Sequence, residues 1–426
     1  MKAIRNIFIL IIIITGLAVG LSLVHNKPVI NDSTEYLYSA NNLLKNNTLY
    51  SGDLNKPLDY RLYTKRTIGY PLFIMLSHRN YYVILLAQCL LIFLNFHLGL
   101  SLIKHFSNKK RVFIVFGIGY ALHFALIFHA GFVLSDLLLT SIITLASLCL
   151  ISKRESLKNK VIVLSILWAA SVLIKPVMLP SLIFVPIVFV WLKVKRQKWN
   201  WSLALPLIVV LIFSLYNHSF VNQHEYSSIS TINLAQYNAK LTISKKYGFD
   251  SAQRFVKAKE LVIPRSIEQY DYYKKNATSF GTKAILENPF TYIKVHTMGM
   301  VKMLLDPGRF EIYTYFGEQT NTLSLTELLF AGDFKSIVYQ LKKNPALLIL
   351  FLFLLCIALI KALGVIVASK HWKKHLFHTT LILYFLVITG PVGAARFFLP
   401  VSVVYLVMAS EGFSQVLNLF QKGSKR

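Results

Sequence analysis

Acidic residues are scarce in this chain: 18 Asp and Glu stand against 46 Lys and Arg in 426 residues. Charge of either sign is thin, at 15% of residues, where a soluble domain carries roughly a quarter. Cysteine is nearly missing. Cys89, Cys149 and Cys356 each sit in an apolar run with no CxxC partner, which excludes a disulfide framework and a zinc site and reads as buried membrane thiols. There is no internal repeat, no low-complexity tract and no Gly-rich phosphate loop, so a nucleotide site of the usual kinds has nothing to stand on. What the chain has instead is grease and positive charge: 55% hydrophobic residues, a mean hydropathy of +0.54 and a net charge of +28. That combination excludes a disordered chain, a secreted domain and an ordinary nucleic-acid binder.

A helix needs about 20 mostly apolar residues to cross a ~30 Å hydrocarbon core. Runs of that kind start near Ile7, Tyr81, Val112, Phe132, Val161, Val177, Ser202, Ala346, Leu376 and Phe397. The expected fold class is therefore an all-α polytopic membrane protein with about ten transmembrane helices and juxtamembrane helices in its loops. The pair of runs around Lys175 and Pro176 is short, which fits tilted or broken spans. The first run follows Lys2 and Arg5 and lacks an A-x-A cleavage site, so it reads as an uncleaved anchor.

Short basic loops set the orientation. Lys104, Lys109, Lys110 and Arg111, then Lys153, Arg154, Lys158 and Lys160, then Lys193, Lys195, Arg196 and Lys198, and finally Lys370, Lys373 and Lys374 alternate with loops poorer in charge. Both termini are then cytoplasmic. The outer segments are Asn26 to Asn80, a short link at Ala130 and Gly131, and Asn217 to Pro345. The chain divides on this reading into a transmembrane module (1–216) with an outer loop at 26–80, an outer region (217–345) and C-terminal helices with a cytoplasmic tail (346–426). Within the outer region, Ala284 to Leu305 reads as an interfacial helix. The alternative is an extra pair of spans, with Leu323 to Leu341 as the second.

Ionisable residues at the outer membrane boundary are the informative ones, because charge near hydrocarbon is costly and tends to be functional. The densest cluster follows the first span: Asp32-Ser33-Thr34-Glu35-Tyr36, then Lys65-Arg66-Thr67-Ile68-Gly69-Tyr70-Pro71. Local sequence also allows a helix cap at Asp32 with Glu35 completing a capping box. Asp136 at the head of the fourth span has a helix-dipole reading, Lys175 before Pro176 a snorkelling one, and Tyr70 an interfacial-belt one. His123 and His129 do not share a helical face well and read as core histidines. His371 and His375 have metal-pair spacing but no third ligand.

The pattern D-x-x-E-Y, A-x-N-L, L-Y-S and K-R-x-x-G-Y-P-L-F directly after the first span resembles the first outer loop of the GT-C-fold polyprenyl-phosphate-sugar glycosyltransferases, the group that includes protein O-mannosyltransferases and lipid A aminoarabinose transferases. Further echoes come in the family's order. They are Ser135-Asp136 where the family often shows Ser-Glu, Leu173-Ile174-Lys175-Pro176, and Tyr216-Asn217, which has His218 and no Arg. Ser230-Thr231-Ile232-Asn233-Leu234, Asn288-Pro289-Phe290-Thr291-Tyr292 and Ala395-Arg396-Phe397 with Pro400 follow.

The resemblance implies a GT-C-like fold and an inverting transfer of one sugar from a polyprenyl phosphate to an envelope glycan, lipid or protein on the outer face of the plasma membrane. It assigns Asp32 as general base, Asp136 as a second carboxylate orienting the acceptor, and Glu35 as catalytic in competition with its capping role. Lys65, Arg66, Lys175 and Arg396 would bind the donor phosphate, and Tyr70, Asn217 and Asn233 the sugar or acceptor. It names no certain cofactor and leaves room for a divalent metal; membrane lipids are partners and nucleic acid is not. Two other functions share parts of this pattern. A surface-polysaccharide polymerase or ligase has outer-facing arginines on many spans, but the early Asp-x-x-Glu loop resembles a monosaccharide transferase. A transporter or flippase of lipid-linked sugar would carry ionisable groups at mid-membrane and paired repeats, whereas the mid-span polar residues here are few and mild: Gln88, Asn95 and His97.

Overall fold

The computed structural model describes residues 2–25, 29–153, 155–194, 200–248, 263–316, 333–343 and 345–423. Every regular element among them is helical. Eight helices are long and apolar enough to cross a membrane: Lys2–Val24, Tyr81–Phe106, Leu157–Ile174, Pro176–Val194, Trp201–Val221, Leu352–Ser369, Trp372–Val392 and Ala395–Asn418. Each coincides with one of the expected runs, and the architecture is that of a polytopic helical membrane protein.

The two remaining runs differ from a plain span, each for a local reason. The run from Val112 is a broken helix, Lys110–Ala121 followed by Phe124–Gly131 at 57°. The break falls at His123, whose backbone (φ −90, ψ 73) leaves the helical region. The run from Phe132 starts in extended backbone, with φ −116 and ψ 144 at Phe132. Its helix is delayed to Asp136–Ile151, 16 residues long. At ~1.5 Å per residue that is about 24 Å, less than a full hydrocarbon thickness. The next pair is interrupted at Pro176, and Pro180 follows within the same turn region. These prolines hold Pro176–Ile183 in a 3-10 conformation before the α-helix Phe184–Val194 begins.

Within residues 217–345 the stretch expected as one interfacial helix from Ala284 to Leu305 is divided. A helix Ile267–Leu286 ends, and a second, Pro289–Leu305, starts on a proline, the residue best suited to a first helical position. Neither is among the helices apolar enough to span. Most of the Leu323 to Leu341 stretch lies outside the described residues; its described end belongs to the helix Phe334–Lys343. The cysteines are free: Cys89 and Cys149 are half-buried, and Cys356 is exposed on its helix and not buried within the protein.

By internal contacts the chain divides into two units, interleaved along the sequence: Met1–Lys27, Gln88–Phe132 and Thr297–Arg426 form one, Pro28–Ala87 and Val133–His296 the other. In the first, the last apolar helix is the most enclosed. Every residue from Phe398 to Gly412 is buried, whereas Lys2–Val24 buries only Ile11, Thr15, Ala18 and Ser22, so the C-terminal helix is the post around which that unit packs. Its closest neighbour is the helix Pro345–Ser369, and the two touch backbone to backbone. A Cβ on Gly412 would overlap the carbonyl oxygen of Gly364, and one on Gly364 would overlap that of Ala409. Small residues at such a crossing let helices approach where lipid supplies no hydrophobic drive between them. In the same unit His129 is fully buried against Glu311 at 3.4 Å, a core histidine as its sequence context suggested.

Replacing Gly412 with leucine forces these helices apart and is expected to destabilise the protein by about 1–3 kcal/mol or more. Gly16, whose Cβ would meet nothing within 4 Å, tolerates alanine and serves as control. Thermal unfolding of the detergent-purified variants, with a lowered Tm for Gly412→Leu and none for Gly16→Ala, is the check.

Candidate functional site

The unit Pro28–Ala87 with Val133–His296 contains every sequence-predicted site residue except Arg396. Its first helix, Asn31–Asn46, is capped by Ile30, with no side-chain cap bond. The capping box is thus not formed. Asp32 and Glu35 sit inside the first turns with their side chains turned to other work. Spacings of three and four along a helix put Asp32, Glu35, Tyr36 and Ser39 on one face. The far end of that face secures the following loop: Ser39 Oγ donates to the Leu49 carbonyl at 3.2 Å, and Asn42 Nδ2 to those of Tyr50 and Gly52 at 2.7 and 2.9 Å.

The near end holds the cations. Lys65 Nζ donates to Glu35 Oε1 at 2.7 Å; Arg66 Nε donates to Glu35 Oε2 at 2.8 Å and its Nη2 to Asp32 Oδ1 at 2.6 Å. The Arg66 guanidinium also lies 4.7 Å from the centre of the Tyr36 ring. Arg66 is 8% exposed. Burial acts to lower its pKa, but Tyr36, Asp32 and Glu35 outweigh that and lift it above the ordinary guanidinium value, so the side chain is locked as a cation. Two carboxylates and two cations make the cluster neutral.

A second pair completes the site. Asp136, 1% exposed in the first turn of Asp136–Ile151, pairs with Lys175. The backbone of Lys175 is extended (φ −149, ψ 127), the conformation imposed on a residue before proline, and its position closes the helix Leu157–Ile174. Tyr36 links the two pairs: its hydroxyl is 2.9 Å from Ser135 Oγ, next to Asp136, while its ring carries Arg66. Tyr70 is fully buried edge-on to Tyr36 at 4.9 Å, which places it inside the site's wall and not in a belt at the lipid surface. Gly69 lets this wall close, because a Cβ there would come within 2.8 Å of the Leu173 carbonyl. Asp32, Glu35, Lys65, Arg66, Tyr70, Asp136 and Lys175 are thus one continuous constellation built from four separate stretches of chain.

Asn217 is buried, and its Nδ2 donates to the carbonyls of Glu225 and Tyr226 at 2.9 and 3.0 Å, holding a turn. Asn233 is half-buried at the head of a π-helical turn, Asn233–Ala239. Arg396 belongs to the other unit, where its guanidinium lies 5.4 Å from the ring of Phe397. No group of three or more His, Cys, Asp or Glu able to hold a metal ion occurs among the described residues.

One residue of consequence was missed in the sequence. Glu225, 8% exposed, accepts from Thr64 Oγ1 at 2.5 Å and from the Tyr270 hydroxyl, and pairs with Lys274 Nζ at 2.8 Å. Burial, and then the neighbouring carboxylate, push the Tyr270 phenol far above its usual pKa, so it stays a donor. Ser227 Oγ donates to the Lys65 carbonyl at 3.1 Å, and Ser228 Oγ to that of Arg61 at 2.7 Å. Glu225 and its serines thereby fix the backbone that carries Lys65 and Arg66. The scarcity of acidic residues was the available signal, since each buried one in so basic a chain has a cation or donors to satisfy.

No known protein family, curated protein or solved structure matches the chain.

Because Asp136 is buried, removing its charge alone takes from Lys175 its ion-pair partner. Asp136→Asn is expected to cost about 3–5 kcal/mol, and Asp136→Leu combined with Lys175→Met to recover most of that loss. Thermal unfolding of the three purified proteins reads the difference; equal Tm values for single and double variants would remove the ion pair from the account of stability.

Proposed function

We propose that this constellation is a group-transfer site for a donor whose leaving group is an anionic phosphate carried on a membrane lipid. The supporting observation is the juxtaposition of Asp32 and Glu35 with Lys65 and Arg66, joined through Tyr36 and Ser135 to Asp136 and Lys175. Such a site has both kinds of group the chemistry requires. Carboxylates accept the proton of an attacking hydroxyl, and buried cations neutralise charge that develops on a departing phosphate, in surroundings of low dielectric where each is worth more than in water.

More particularly, we read the protein as an integral-membrane glycosyltransferase of GT-C type using a polyprenyl-phosphate sugar, in keeping with the motif resemblance. The acceptor hydroxyl oxygen bonds to the anomeric carbon with inversion as the bond from that carbon to the phosphate oxygen breaks. The hydroxyl proton passes to Asp32, and polyprenyl phosphate leaves with the electron pair, its charge met by Lys65 and Arg66. Asp136, tethered by Lys175, orients the acceptor. In the resting state the cations are held by Glu35 and Asp32, so donor phosphate enters by sharing them. The acceptor is an envelope glycan, lipid or protein at the outer face of the plasma membrane, and no nucleotide is needed because the donor is a lipid.

Asp32→Asn keeps the size of the side chain and removes the base. It is expected to lower sugar transfer by about 10²–10⁴-fold while expression and membrane insertion stay at the wild-type level. Transfer of radiolabelled sugar from polyprenyl-phosphate donor in membrane vesicles measures this. Full activity in the variant would sink the assignment.

A further inference from the structure

One concentration of positive charge outside that site lines a cavity. In the unit holding the C-terminal helices, the turn Lys370–Lys374 joins the helices Pro345–Ser369 and Trp372–Thr389. With Glu411 and Gln415 of the last helix it lines a cavity of about 440 Å³. That lies within the ~300–1,000 Å³ usual for ligand sites and exceeds what a bare phosphate ion fills.

The charge in the cavity is unbalanced. Glu411, its one carboxylate among the lining residues, is already paired with Lys374 and with His375 Nε2 at 3.1 Å. Lys374 is further anchored by donating to the Phe106 carbonyl at 2.9 Å. Lys374 and Glu411 therefore form a fixed ion pair at one side of the cavity. Lys370 and Lys373 remain at the exposed rim with no carboxylate within 4 Å among the described residues, alongside His371. The backbone at the same place is the start of the helix Trp372–Thr389, the positive end of its dipole. Cavity, lysine pair and helix start all select an anion.

The apolar surface next to it selects the kind of anion. Trp372, at the cavity's edge, is 59% exposed, and Leu376, Leu383 and Val387 are 56%, 51% and 51% exposed. At 100° per residue these four fall within about 60° of one another, so they form one apolar stripe leading down the helix from the cationic rim. The positive-inside reading puts the turn at the cytoplasmic boundary, where anionic headgroups are concentrated.

We propose that this cavity is a discrete binding site for an anionic phospholipid. Its phosphate sits between Lys370 and Lys373, and its acyl chains lie along Trp372, Leu376, Leu383 and Val387. The site is separate from the glycosyl-transfer site and does not depend on that reading. It fixes the last two helices at the boundary through a lipid held by name and place, beyond the general attraction of basic loops to a membrane.

The test is native mass spectrometry of the full-length protein in a zwitterionic detergent, titrated with phosphatidylglycerol, phosphatidylcholine or glycerol 1-phosphate. The expected result is one phosphatidylglycerol retained per chain in preference to phosphatidylcholine. In Lys370→Gln/Lys373→Gln its affinity falls about 30-fold, the factor that two membrane-surface lysines contribute, with Tm unchanged. Lys153→Gln/Lys158→Gln, in a different basic loop, leaves binding as it was. Undiminished binding by the first variant, an equal loss in the second, or glycerol 1-phosphate binding as tightly as the lipid would each overturn the proposal. The first two would mean attraction by charge in general, and the last a soluble phosphate ligand.

Discussion

A guanidinium buried at the edge of an apolar protein must be satisfied on every side, and Arg66 is the group around which one unit of this molecule is arranged. An isolated cation there carries a desolvation cost of several kcal/mol. Asp32 and Glu35 supply charge, Tyr36 supplies a ring face, and Glu225 with Ser227 and Ser228 supplies the fixed backbone on which Arg66 and Lys65 ride. Each requirement recruits a different stretch of chain. Satisfying this one side chain therefore accounts for much of the shape of its surroundings.

The same economy of charge separates the molecule's polar interior into parts that differ in kind. Where cations meet carboxylates in numbers that cancel, as at Asp32, Glu35, Lys65 and Arg66, the cluster is neutral but its members stay charged and close, poised for an incoming group that carries charge of its own. Where a carboxylate serves only to fix a backbone, as Glu225 does, its donors are largely neutral hydroxyls with one lysine at the side. A net charge of +28 looks like a bulk property, yet these clusters show that the few acidic residues decide where the basic ones are quiet.

The sequence was legible where one physical variable dominates. Hydrophobic length alone located the helices able to span, and Pro176 after Lys175 marked where the next pair of runs is interrupted, because a missing N–H and a fixed φ act locally. It was less legible where two local rules competed. Asp32 and Glu35 have the spacing of a capping box, and the cap lost to Lys65 and Arg66 more than 29 residues away, partners that no local window can weigh. Tyr70 had the look of a belt residue because its neighbours are apolar; burial against Tyr36 is a tertiary fact. The division into two interleaved units lay beyond reading from sequence, since neither corresponds to a continuous stretch. Glu225 has no motif around it and is known only by what it touches. The delayed start of Asp136–Ile151 came from extended backbone in a run that composition cannot distinguish from helix.

The order of pairing along the chain has a bearing on biogenesis. Asp32 and Glu35 find Arg66 and Lys65 across about thirty residues of one loop, whereas Asp136 with Lys175 and Thr64 with Glu225 wait on segments synthesised later. The charges of Asp32, Glu35, Lys65 and Arg66 can therefore cancel within one short stretch of chain, before the later partners have been made. The later contacts, Asp136 with Lys175 and Thr64 with Glu225, are then made to a stretch whose carboxylates Asp32 and Glu35 already have their cations.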